Sequence, residues 1–315
     1  CPCVVKRGPG DWHLFYWDAR TPAGPPGVIH YVGEDGLHWR PGRRNPVVQT
    51  PVDRTRSGGV SDVLRVSYDP VGRQFLLSQR TLPLENGDAP RTQKRVPGGL
   101  TQRRVALATS PDGERFSPLR TVLVPTLNDP ADLQFYGLSP FRHGAGFLGY
   151  LLGYRPATPN MDVELAFSAD AVSWRRVAPN VRYLATGPRH GPDGGLIHCA
   201  CAPIRRQEKL FLYYMGTNGN HAGGTVDGRP GRSSLNLAVA DADRMVSVRA
   251  PGRDGRLLVG PIRLGRGGLA LNANARGSLI RAALRDAGTF AELPGFGFDA
   301  AQPVTADVRH ESLAW

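Results

Sequence analysis

Short apolar runs alternate with Gly, Pro or Asp turns from residue 12 to about residue 246, and no stretch carries a long amphipathic helical period. The runs predict strands at residues 12–17 and 28–32, then at 62–67, 74–78 and 104–110. A third group falls at 134–141, 146–152 and 163–168, and a fourth at 195–203, 209–214 and 234–240. Past residue 246 the pattern changes: runs at 269–274, 278–284 and 294–298 predict short antiparallel strands of a separate, sandwich-like appendage. The expected division is therefore 1–246 and 247–315. The chain stops at Trp315 in what reads like a strand, so an incomplete appendage is expected.

A spacing recurs through the first part: an Asp just after an apolar run, then an aromatic residue four positions on. It appears at Asp35 and Trp39, Asp112 and Phe116, and Asp170 and Trp174, with a degenerate copy at Asp241 and Met245. Each copy reads as strand, tight turn, strand. The Asp accepts from turn amides, Gly36 and Gly113 supply positive φ, and the aromatic opens the next strand. A unit this small cannot bury both faces of its sheet, so it must stack on its neighbours, with the aromatic filling the gap. Radial stacking of four-stranded sheets is a β-propeller. The intervals between successive Asp residues are 77, 58 and 71, longer than a minimal blade because of Pro- and Gly-rich insertions at 81–99 and 218–231. Those insertions are expected on loops at one rim, where function tends to sit.

Composition narrows the classes. With 315 residues and 40% apolar content the chain can form one large domain, or a large one with a small one. No apolar run is long enough to span a bilayer and none looks like a signal peptide, so a soluble protein is expected, with cytoplasm and secretion both open. The chain begins at Cys1 without an initiator Met, so a processed or truncated start is expected and no targeting information is read from it. The net charge of +12 arises from 39 basic against 27 acidic residues, and the only lysines are Lys6, Lys94 and Lys209. The arginines are dispersed and the aromatics alternate with apolar strand residues rather than with the charge. That pattern argues for a solvated Arg-biased surface and against nucleic-acid binding.

The cysteines form two pairs one residue apart, Cys1 with Cys3 and Cys199 with Cys201. On a strand such spacing puts both thiols on one face, which suits packing better than zinc, whose paired ligands are more widely spaced. In an oxidising compartment a disulfide between the pairs is open.

These residues resemble a group of bacterial proteins related to the five-bladed propeller glycoside hydrolases, the superfamily of invertases, arabinanases and levansucrases. The resemblance rests on the Asp turns with their aromatics, on Asp132 to Gly137, and on Leu210 to Gly216 followed by His221. In the tail it rests on Leu269 to Asn274 and Pro294 to Phe296. It runs over nearly the whole chain and implies an all-β, five-bladed β-propeller, four blades of which are readable, with the small C-terminal appendage. It implies a sugar-cleaving activity more securely than a substrate. The Arg-Asp-Pro and Glu-Cys motifs of invertase relatives are absent, so their catalytic acids are not carried over.

The acids must then be sought by placement. The first strand of each blade lines a propeller's channel, so acids at those strand starts converge. Glycosidic cleavage needs such convergence: one carboxylic acid protonates the leaving oxygen while a carboxylate activates water or attacks the sugar. Asp62, Asp132 and Asp193 precede or begin the inner strands of the second, third and fourth units, although each can also serve as a strand-start Asp satisfying backbone amides. Asp62 and Asp193 are expected as acid and base, with Asp132 orienting them. Glu164 is a rival acid on a third strand, where alternation can turn it to solvent. His221 can bond a sugar hydroxyl or lie exposed on its loop, and His198 can line the channel or pack in the core. Tyr136 and Trp17 can stack on a sugar or fill a blade, and Gln134 and Arg104 are candidate hydroxyl contacts.

Three functions remain: a glycoside hydrolase acting on an oligo- or polysaccharide, a non-catalytic carbohydrate-binding propeller, and a glycoside phosphorylase. For the last, Arg103, Arg104, Arg142 and Arg189 can supply a phosphate clamp. The expected partner is a carbohydrate; nothing in the sequence calls for a cofactor, and no ligand cluster demands a metal.

Overall fold

The computed structural model describes residues 2–18, 26–49, 62–81, 103–221, 231–250, 252, 254–265 and 268–315. They divide into two compact units, Cys1–Val246 and Ser247–Trp315. All regular structure among the described residues is β, and no helix is long and apolar enough to cross a membrane.

The first unit is a succession of antiparallel meanders. β1 (Cys3–Gly8), β2 (Asp11–Asp18), β3 (Gly27–Gly33) and β4 (Arg40–Pro41) are hydrogen-bonded in that order, with β5 (Val48–Gln49) also on β3. β6 (Leu64–Asp69), β7 (Gln74–Thr81), β8 (Arg104–Ser110) and β9 (Arg120–Leu123) form the second meander. The third is β10 (Gln134–His143), β11 (Gly146–Arg155), β12 (Asn160–Ser168) and β13 (Trp174–Arg176). In the fourth, β14 (Leu196–Cys199) and β17 (Ser233–Asp241) flank β16 (Lys209–Thr217), with β15 (Ile204–Arg206) on β16 as well. A single parallel pairing of Met161 with Leu196 fuses the last two meanders into one eight-stranded sheet.

The Asp turns have the expected design. Oδ1 of Asp35 accepts from the amides of Leu37 and His38, both at 2.8 Å; Asp112 takes Glu114 and Arg115 at 2.9 Å; Asp170 takes Val172 and Ser173 at 2.8 and 2.7 Å. Gly36 and Gly113 sit at φ of 78° and 77°, and Ala171 adopts 63° at the same place in the third copy, a conformation that a residue with a Cβ rarely takes.

The core lies between successive meanders, whose apolar side chains pack against one another. Phe15 and Val28 of the first meander pack with Leu64, Val66 and Phe75 of the second. Leu76, Val105 and Leu107 of the second pack with Leu138, Phe147 and Trp174 of the third. Tyr150 and Leu152 of the third pack with Ile197 and Leu212 of the fourth. The repeat aromatics point back to the preceding sheet: Phe116 meets Phe15 edge-on at 6.1 Å, and Trp174, 8% exposed, joins the cluster with Leu76 and donates Nε1–H to the Ala171 carbonyl at 3.0 Å. The first strands touch in order, β1 on β6 and β6 on β10, while β11 meets β14. Arg65, buried on β6, donates Nε–H to the Cys199 carbonyl at 2.9 Å and so reaches the end of β14.

Several expectations are corrected. β1 was not foreseen, because its alternation of Cys3 and Val5 with exposed Val4 and Lys6 is brief. The run at 195–203 yields only the short β14, since Pro203 lacks an amide for the ladder. Cys199 and Cys201 do not share a face: β14 stops at Cys199, which packs between the third and fourth meanders, while Cys201 packs against the first and second. The insertions at 82–99 and 222–230, residues 57–61 and Cys1 lie outside the described residues.

The second unit contains a ribbon of β18 (Ala270–Asn274) and β19 (Asp307–Ser312). The stretches 278–284 and 294–298 do not become strands. An isolated bridge joins Ile280 to Val304, another joins Arg285 to Glu292 between the two stretches, and Gly295 turns at φ of 81° after Pro294. Asp286 repeats the first unit's turn, its Oδ1 accepting from Gly288 and Thr289 at 3.0 and 2.8 Å with Phe290 four positions on, a copy that the sequence reading missed.

If Trp174 is the filler between the second and third meanders, Trp174→Ala lowers unfolding free energy in urea by about 3–5 kcal/mol. A loss under about 1 kcal/mol would show that the sheets pack without it.

Candidate functional site

The chemistry gathers where strands from several meanders begin or end. Tyr136, the third residue of β10 and the one left without a partner on β11 at the bulge between Phe135 and Gly137, is the hub. Its hydroxyl is hydrogen-bonded to His221 Nε2, and its ring lies 5.7 Å from Tyr154 of β11, 5.9 Å from His198 of β14 and 5.0 Å from His221. Two guanidinium groups stack on it: Arg80 from the end of β7 at 4.8 Å and Arg103, just before β8, at 5.4 Å. Arg103 also lies 5.6 Å from the Tyr154 ring and donates to Gln134 Oε1. Cation–π contacts of this kind hold an arginine in place while leaving its edge N–H groups for other acceptors.

Backbone bonds fix this meeting. The Phe135 amide donates to the Arg103 carbonyl at 3.1 Å, tying the start of β10 to the start of β8. The Met161 amide donates to Gly195, and Gly195 in turn donates to Thr217 at 2.8 Å. A Cβ on Gly195 would stand 2.1 Å from the Gly219 carbonyl oxygen, so only glycine lets the start of β14 approach the segment that carries His221.

The three candidate acids differ in surroundings. Asp62, 62% exposed at its side chain, pairs with Arg80 at 2.9 Å and belongs to the Tyr136 cluster through it. Asp193 accepts the Tyr214 hydroxyl at 2.7 Å and lies against Gly216. Burial and that hydrogen bond push Tyr214 up to about 12. Asp132 accepts the Ala157 amide at 3.1 Å, the backbone-satisfying role that was its alternative.

Of the remaining candidates, Gln134, Tyr136, His198 and His221 come together. Arg104 does not join them: its neighbour Arg103 does, because consecutive strand residues face opposite ways, and the buried Nε of Arg104 has no hydrogen-bond partner. Trp17 packs on the core between the first two meanders. Glu164, expected to turn toward solvent, is instead fully buried and bound by Arg176 through Oε2 at 2.7 Å and Oε1 at 2.9 Å, with Asp129 on the same guanidinium; both faces of β12 are covered. Arg142 is spent on Asp69, at 2.9 and 2.7 Å, and Arg189 lies in the turn before Asp193. Arg80 and Tyr154 were missed. Each ends a strand predicted too short, where one more step of alternation exposes it to the cluster.

Electrostatically the cluster is cationic. Burial and Arg80 lower the Arg103 pKa, and burial with Arg103 and Arg80 lowers His221, against Asp62. Burial, with Arg65 and His221, takes His198 down to about 4. Gln134 Nε2 and His198 Nδ1 are buried without a hydrogen-bond partner. Buried polar groups are ordinarily satisfied, so two such atoms in one cluster suit a ligand bearing hydroxyls. No group of three or more His, Cys, Asp or Glu among the described residues is arranged to hold a metal.

No protein-family model matches the chain, and no curated protein matches its sequence. Solved structures do match. One is an N-acetylgalactosamine deacetylase from F. plautii in complex with blood group B trisaccharide: 14% identity, 78% of this chain and 72% of that one, TM-score 0.54. A glycosyl hydrolase from Bacteroides ovatus is 15% identical over 77% of this chain and 66% of its own, TM-score 0.50. The same values hold for a protein described with the GH130 family of mannoside phosphorylases, which contains glycoside hydrolases that target β-1,2 mannosidic linkages in Candida mannan. The chain thus has the all-β fold of the propeller glycosidases.

His198 is neutral in the folded protein down to about pH 4 but titrates near 6.5 when unfolded, so the unfolded chain binds more protons in that window and stability falls as pH falls through it. His30, also taken to about 4 by burial and His13, acts in the same direction. The melting temperature should decline from pH 6.5 to pH 4, and His198→Gln should flatten part of the decline, on the order of 3 kcal/mol. An unchanged slope would place His198 in water.

Proposed function

We propose that this protein cleaves glycosidic bonds, with Asp62 and Asp193 as the acid and base. The observation that carries the proposal is the meeting, at the ends of strands from three meanders, of two edge-to-face tyrosines, buried unpartnered polar atoms and an accessible carboxylate. Gln134 and His198 offer donors or acceptors to sugar hydroxyls. Cleavage follows when one carboxylic acid protonates the leaving oxygen and the other carboxylate activates water or attacks the anomeric carbon. The fold alone does not decide this, since it also occurs in a deacetylase.

Asp62→Asn and Asp193→Asn should each cut the release of reducing ends from a panel of oligosaccharides at least a hundredfold, with the melting temperature almost unchanged. Full turnover in both variants ends the assignment, and glycan binding with no products in wild type would make this a carbohydrate-binding propeller.

The cationic character of the cluster favours one further reading, a glycoside phosphorylase in which phosphate replaces water. Arg103, one of the four arginines expected from the sequence, would hold it together with Arg80. Sugar phosphate should then appear only with inorganic phosphate present, and Arg103→Gln should raise the phosphate concentration for half-maximal rate by roughly tenfold or more. A rate indifferent to phosphate leaves hydrolysis.

A further inference from the structure

Two thiols far apart in the chain meet away from the sugar cluster. Cys3 is the first residue of β1 and is 1% exposed; Cys201 stands two residues past the end of β14 and is half-buried. The thiols are hydrogen-bonded to each other, both face the backbone of Val66 on β6, and Cys3 Sγ also lies 3.6 Å from the Leu64 carbonyl. Both pack in the cluster of Phe15, Leu64 and Val66. Cys199 is apart, packed in the core of Tyr150 and Leu212. The contact therefore joins the first strand of the first meander to the first strand of the fourth, where β1 has no backbone ladder to β14.

We propose that Cys3 and Cys201 are a redox clasp, closed to a disulfide by a small disulfide oxidant such as oxidised glutathione and opened by a dithiol. Cys201, the more accessible of the two, loses its proton and attacks one sulfur of the oxidant; that S–S bond breaks, a mixed disulfide forms and the first glutathione leaves as thiolate. Cys3 then loses its proton and attacks the Cys201 sulfur, the mixed disulfide breaks, and the second glutathione leaves. Two protein thiols are oxidised by two electrons, the oxidant is reduced to two thiols, and the two protons end on them. The surroundings favour this order: the hydrogen bond from Cys3, with Arg65 nearby and against burial, brings Cys201 down to about 7, while burial holds Cys3 well above the ordinary thiol value. A bond between residues so distant in sequence restrains the unfolded chain strongly.

The test equilibrates the full chain carrying Cys1→Ser with reduced and oxidised glutathione. Mass spectrometry should show a loss of about 2 Da and a Cys3–Cys201 linked peptide. The melting temperature should rise by about 5–10 °C, the rise vanishing with dithiothreitol. The reduced and oxidised forms of the same protein supply the comparison, so no further variant needs to fold. A mixed disulfide with glutathione as the end product, a link through Cys199, or a closed bond with an unshifted melting temperature overturns the clasp.

Discussion

A single four-stranded meander cannot bury its apolar side chains alone in water, and the packing of the first unit follows from meanders covering one another. Phe15 and Phe75, Leu107 and Trp174, Tyr150 and Leu212 each lie in a core shared by two successive meanders. Fully burying one such side chain contributes about 1.5–3 kcal/mol, so a stack of shared cores outweighs anything a single sheet could supply. Sharing also sets orientation. With β1 against β6, β6 against β10 and β14 against β11, the strand ends that carry Arg80, Arg103, Gln134, Tyr154 and His198 meet around Tyr136.

Charge is handled in two ways. Where carboxylates are deeply buried they are met by arginine at close range, as Glu164 and Asp129 are by Arg176 and Asp162 by Arg155 at 3.0 Å. A buried charge left alone would cost several kcal/mol, so these pairs belong to the architecture. At the Tyr136 cluster the sign reverses: arginines outnumber carboxylates and are held by aromatic faces and an amide. The first arrangement neutralises each carboxylate within the core, while the second gathers positive charge around aromatic rings at strand ends. That difference separates Glu164 from Asp62 more firmly than their positions along the strands do.

The turns and the repeated unit were legible in the sequence because their causes are local. An Asp carboxylate reaches the amides two and three residues on wherever it occurs, and a Gly or a tolerated Ala takes the left-handed position between them. Strand alternation likewise lies in the chain itself, which is why the strands from 104 to 241 fall close to their expected places. The same locality explains the misses. Pro203 cuts β14 short, Pro294 and Gly295 prevent a strand at 294–298, and β1 is too brief to announce itself.

The sequence by itself determined the all-β class, the Asp-turn repeat with its inter-sheet aromatics, and the residue types from which a sugar site could be built. Tertiary structure alone decided which of them meet: that Arg103 and not Arg104 lies on Tyr136, that Glu164 is locked to Arg176, that Asp132 serves the Ala157 amide, and that Cys201 finds Cys3 rather than sharing a face with Cys199. The reason is range. Turn chemistry and alternation act over a few residues, whereas each of these meetings joins residues from about a dozen to nearly two hundred positions apart, and only the packing of whole sheets fixes such separations.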